Sequence, residues 1–121
     1  VHHRPPVGEV LGAPVLVLVC MTVADMDRYA DEKRNRAERS MALQGTAMAA
    51  QNLLFAAHSA GLGACWICAP LFCPETVTSV LALQPDWEPQ AIITLGYPAD
   101  RGKPSRRRPL SEIIRYEDRE R

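Results

Sequence analysis

Residues 14–22 form a continuous run of Val, Leu, Cys and Met with no polar alternation, a pattern that predicts a strand covered on both faces. Residues 25–39 break the run with 10 charged residues of both signs in 15 positions. Mixed charge of this kind predicts a solvated loop and helix start. Residues 40–60 lack proline and are rich in Ala, Leu and Met, all good helix formers. Gln44, Gln51 and His58 recur every seven positions there and make one narrow polar stripe. The rest of that surface is small or apolar, which predicts a helix buried on most sides, in a core or at a subunit interface. Gly61 supplies the left-handed residue that ends it.

Residues 64–69 predict a short apolar strand, and Pro74 with Glu75 opens a helix that runs to Leu83. Pro85 and Pro89 bracket a turn, residues 91–95 predict a third strand closed by Gly96, and residues 100–105 form a polar loop. The order is strand, helix, strand, helix, strand, tail, which is an α+β arrangement in one domain over residues 1–121. Residues 1–12 are an irregular lead-in holding Pro5, Pro6, Gly8 and Gly12, and residues 110–121 are a C-terminal tail.

Composition narrows the function classes. Lys and Arg total 14 against 14 Asp and Glu, so no global field favours nucleic acid or an anionic membrane. The longest apolar run is too short to cross a bilayer, which takes about 20 residues, and it lacks the flanks of a signal peptide. The expectation is a cytoplasmic protein with no membrane and no nucleic-acid partner.

Candidate chemistry lies in two places. Cys65 and Cys68, with Cys73 and the distant Cys20, invite a metal or dithiol reading, but a zinc site needs a second Cys or His pair at suitable spacing. On a strand over residues 64–69, Cys65 and Cys68 would point to opposite faces. Adjacent His2 and His3 have no third ligand at a metal-site spacing. The four cysteines therefore read as reduced, buried thiols, with no metal. The second place is the cluster Arg106, Arg107 and Arg108. In an extended segment Arg106 and Arg108 project to one side, a fork suited to phosphate. Charge alone favours the plainer reading, a solvated basic tail. No nucleophile stands beside a base, and no Gly-rich phosphate loop or carboxylate pair appears, so any redox chemistry has to come from a cofactor.

Four segments together resemble the nitroreductase (flavin reductase) family: Ala-Ala-Gln-Asn-Leu-Leu-Phe-Ala-Ala-His at 49–58, Gly-Leu-Gly-Ala-Cys-Trp at 61–66, Leu-Gly-Tyr-Pro at 95–98 and Arg-Arg-Pro-Leu-Ser-Glu-Ile-Ile at 107–114. Residues 29–41 and 83–89 look closer to one branch, the reductase domain fused to the glutamate ligase of deazaflavin coenzyme F-420 synthesis. The resemblance implies a nitroreductase-like α+β sheet packed by helices and corresponding to the C-terminal half of that domain. It implies an enzyme, an FMN-dependent oxidoreductase that works as a homodimer with FMN at the subunit interface. Hydride would come from a nicotinamide, or from reduced flavin or deazaflavin, and pass to an electron-poor small molecule such as a deazaflavin precursor.

By the same resemblance, the backbone of Trp66, Ile67, Cys68 and Ala69 lies along the flavin ring, and Arg106 and Arg108 hold the FMN phosphate. That reverses the preference for a solvated basic tail. Cys68 stands where many relatives have glycine, and the family's N-terminal Arg-rich motif has no counterpart here. The alternatives are a non-catalytic remnant that dimerises through residues 40–60 without flavin, and a small Cys-based metal protein.

Overall fold

A computed structural model describes residues 12–100 and 102–117. Most of the expected lead-in, with His2 and His3, and the last residues of the tail lie outside that range. The described chain is an α+β fold of one three-stranded antiparallel sheet and two helices. Strand β1 is Val15–Met21, helix α1 Glu32–Ser59, strand β2 Gly63–Ile67, helix α2 Pro74–Val80 and strand β3 Glu88–Gly96. Short 3-10 turns occupy Ala69–Phe72 and Leu110–Glu112. Among the described residues no helix is long and apolar enough to cross a membrane.

The sheet order is β1-β3-β2, so the last strand in the chain is the central one. Its odd-numbered side chains Pro89, Ala91 and Ile93 are buried, and its even-numbered neighbours are half-buried, the two-residue period of a pleated strand. Ala91 and Ile93 have no exposed surface at all. Sequence predicts this strand only over 91–95; it also takes in Pro89, which was expected in a turn. Proline has no N–H for a ladder and is tolerated in strands at bulges and unpaired edges. Both conditions hold here. The β1–β3 register slips between Val19 and Cys20, opposite Ala91 and Pro89. On the other side β2 reaches only to Ile67 opposite Ile92.

Helix α1 starts eight residues before the predicted Ser40, because the charged run is itself helical. Asp31 caps the helix, its carboxylate accepting from the Arg34 N–H at 2.9 Å. That bond, with the Arg34 side chain, holds the Asp31 carboxyl below its usual range. Glu32 sits favourably in the first turn and pairs with Arg36 one turn on. Farther along, Arg39 makes a two-pronged pair with Glu88 and so ties α1 to the start of β3. The Arg39 guanidinium holds the Glu88 carboxyl below its ordinary value.

Only one side of α1 meets the sheet. It touches β1 and β2, and Glu38, Ala42, Thr46, Ala50, Leu53, Leu54 and Ala57 are its buried or half-buried positions, at helical spacing. Burial on most sides, expected from sequence, is not what this chain provides. Met41, Met48 and Phe55 are exposed, the last two by 64% and 62%. They recur every seven residues on the side opposite Ala50 and Ala57. Strand β1 also differs from expectation. As an edge strand it leaves Val15 and Leu16 about half exposed instead of covered on both faces.

The two helices end in the same motif with different residues. At α1, Gly61 N–H donates to the His58 carbonyl and Leu62 N–H to the Ala57 carbonyl, with Gly61 at φ +75°. At α2, Ala82 N–H donates to Ser79 and Leu83 N–H to Thr78, with Ala82 at φ +47°. Both are Schellman caps, whose left-handed position favours glycine. An L-residue there costs about 1–2 kcal/mol, partly offset by the chain entropy that glycine loses on folding. Gly61→Ala should therefore lower stability by about 1 kcal/mol, and Ala82→Gly should raise it by up to about 1 kcal/mol. Urea unfolding of the two variants checks this pair; a shift of the same sign in both would contradict the cap assignment.

Candidate functional site

The site residues drawn from sequence fall on two segments. Trp66 and Ile67 are the last two residues of β2. Cys68 and Ala69, expected on the same strand, lie beyond it. The strand stops where its ladder with β3 stops, and Cys68, at φ −86° and ψ 10°, turns the chain into the 3-10 turn. This is the sparsely populated bridge region, common at turns and active sites. Pro70 is wholly buried and fixes the turn, which packs on β3. Leu71 and Phe72 beside it are exposed, Phe72 by 87%.

The turn leaves backbone donors open. Among the described residues, neither the Cys68 N–H nor the Ala69 N–H meets an acceptor, and both residues are exposed. The Cys68 carbonyl accepts from Leu71 N–H at 3.0 Å, and the Ala69 carbonyl accepts from the Cys73 thiol at 3.6 Å. The Trp66 indole N–H donates to Cys68 Sγ at 3.0 Å. That contact was missed from sequence, although residues two apart at a strand end share a side and could have shown it.

The cysteines correct the sequence reading. Cys65, Cys68 and Cys73 are exposed, and Cys20 is half-buried. An apolar sequence context buries a side chain only where something packs over it, and β2 is a short edge strand. Burial pushes the Cys20 thiol above its usual range. Among the described residues no three metal-ligating side chains come together.

Arg106, Arg107 and Arg108 lie in an irregular, fully exposed stretch just ahead of the Leu110–Glu112 turn. Among the described residues none of the three is in an ion pair or a side-chain hydrogen bond. The structure brings Trp66 and Cys68 into contact but joins neither of them to the arginines. Two open clefts do not coincide with these segments. One of about 1030 Å³ is bordered by His58, Leu62, Cys65, Tyr97 and Pro98, at the opposite end of β2. The other lies between Arg39, Leu71, Thr78 and Trp87.

Backbone donors and guanidinium groups each suit an anionic, hydrogen-bond-accepting ligand, and the structure does not bring the two sets together. The described residues form one α+β unit. The chain belongs to the nitroreductase family, whose pattern matches residues 4–97; Arg106 and Arg108 lie beyond that match. Three solved structures are similar. One is a nitroreductase from Desulfovibrio desulfuricans in complex with FMN, 32% identical over 88% of this chain and 56% of its own, with a TM-score of 0.60. A nitroreductase family protein from Streptococcus pneumoniae is 29% identical over 78% of this chain and 44% of its own, at 0.63. An oxidoreductase from Bacteroides fragilis is 28% identical over 89% of this chain and 46% of its own, at 0.70. This chain thus spans about half the length of each.

The exposure pattern makes a direct prediction for thiol chemistry. A soluble disulfide reagent should titrate three thiols of the folded chain quickly and the fourth slowly, since thiolate fraction and access set the rate. Cys20→Ser should remove the slow phase. Four equally slow thiols would contradict the placement of Cys65, Cys68 and Cys73 at the surface.

Proposed function

We propose that this chain is part of an FMN-dependent oxidoreductase. The observation that carries the proposal is the 32% identity, over 88% of the chain, to a protein crystallised with FMN. The residues present fit such a cofactor. The open Cys68 and Ala69 N–H groups are donors for an electron-rich ring edge, and Arg106 and Arg108 are cations for a phosphate. Bound FMN would supply hydride transfer to an electron-poor acceptor, a deazaflavin precursor being the acceptor proposed from residues 29–41 and 83–89, with a nicotinamide, reduced flavin or deazaflavin as donor.

This chain's own residues would bind and orient. Backbone donors at the end of β2 favour negative charge beside them without a side chain that titrates. The buried Pro70 anchors the turn that carries those donors on β3. Arg106 and Arg108 would carry most of the charge-assisted bonding, and the apolar rim of Leu71 and Phe72 would exclude water. We also propose a homodimer. The exposed stripe of Met41, Met48 and Phe55 is the kind of surface that association covers.

A charge-assisted bond from Arg to phosphate contributes roughly 1.5–3 kcal/mol. Arg108→Ala in the complete protein should weaken FMN binding by about ten- to a hundred-fold, while riboflavin, which lacks the phosphate, should bind almost unchanged. Arg106→Ala should act in the same direction but more mildly, and Arg107→Ala least. Fluorescence titration with the two flavins makes the comparison. Equal losses for FMN and riboflavin would mean that the arginines act through folding, and the phosphate assignment would be wrong.

A further inference from the structure

The turn that follows β2 is held from within by the Leu71 N–H to Cys68 carbonyl bond and the Cys73 thiol to Ala69 carbonyl contact, and by one further contact on each side. Beneath it, Pro70 is wholly buried. On the outer side, among the described residues, 66–69 make a single hydrogen bond between side chains, from the Trp66 indole N–H to Cys68 Sγ at 3.0 Å. Trp66 is still in the ladder, opposite Ile93. Cys68 has already left it and sits in the bridge region. The contact therefore links the last rigid register position to the first residue of the turn. Without it, rotation about the Cys68 backbone could carry the following N–H groups toward other acceptors.

We propose that Cys68 is a positioning residue: its thiol, by accepting from the Trp66 indole, fixes the backbone turn that keeps the Cys68 and Ala69 N–H groups open for a ligand. The role belongs to the sulfur lone pair and requires neither oxidation nor a thiolate. Serine in its place keeps an acceptor, and alanine removes it. Phenylalanine at position 66 keeps an aromatic ring and removes the donor. The proposal rests on the flavin reading only for the identity of the ligand.

The test uses isotope-labelled full chain, with Cys68→Ala, Cys68→Ser, Trp66→Phe and the Cys68→Ala/Trp66→Phe double variant. Cys68→Ala should shift the Trp66 indole N–H resonance and the Ala69 amide resonance, and Cys68→Ser should return both most of the way. In FMN titrations Cys68→Ala and Trp66→Phe should each weaken binding by about three- to ten-fold, the scale of one neutral hydrogen bond. The double variant should lose no more than either single one, because both remove the same contact. An Ala69 amide that ignores Cys68→Ala, or losses that add in the double variant, would overturn the proposal. A wild-type chain that binds no FMN, yet whose Ala69 amide still depends on Cys68, would instead sink the flavin reading and leave the positioning role supported.

Discussion

The structure turns on what the central strand cannot do at Pro89. Pro89 lacks an N–H for the ladder; the β1 register slips beside it, and β2 pairs with β3 only as far as Ile92, leaving the stretch of β3 that holds Pro89 free on that side. Beside that free stretch of β3 the chain leaves β2, buries Pro70 and turns. The open donors of Cys68 and Ala69 follow from this geometry. Had β2 continued in register alongside residues 88–91, the N–H groups now open would have been candidates for the ladder. The candidate site is thus a consequence of a truncated strand pairing rather than of any single reactive side chain.

Local signals in the sequence were readable where a residue type has one dominant physical role. Gly61 ends α1 in the left-handed region, Pro74 opens α2 with Glu75 in its first turn, and Gly96 closes β3. A Cβ at Gly96 would lie 2.9 Å from the Pro14 ring, so close packing as well as strand termination bears on that glycine. What depended on neighbours was less readable. The charged run hid two turns of helix, within which Asp31 pairs with Arg34 and Glu32 with Arg36, while Arg39 at its end reaches Glu88 of β3. Pro89 looked like a turn residue because nothing in the sequence shows that β2 falls short of it. The cysteines looked buried because their context is apolar, yet apolar context tells nothing of whether a layer covers it. For the site, the end of β2 was found through family resemblance; the Trp66–Cys68 contact follows from strand geometry once the strand's end is known.

The described residues leave much apolar surface exposed. The chain spans about half the length of the solved relatives it resembles. Its sheet has helix α1 along a stripe of mostly small residues, with the 3-10 turn and α2 packed on β3. Met41, Met48 and Phe55 on the far side of α1, and Leu71 and Phe72 beside the open donors, remain in contact with water. Apolar area of this kind stabilises when it is removed from water, by about 25 cal/mol per Å². The surface left on α1 and the rim left at the turn belong to one account under the proposed function: association would cover the first, and a bound aromatic cofactor the second.

The most direct test of that account is sedimentation of the complete protein followed at the visible flavin band. Flavin absorbance moving with a dimer, and lost from it when Arg108 is replaced by alanine, is the predicted result. A well-folded monomer that carries no flavin absorbance, even with FMN added in excess, would contradict it.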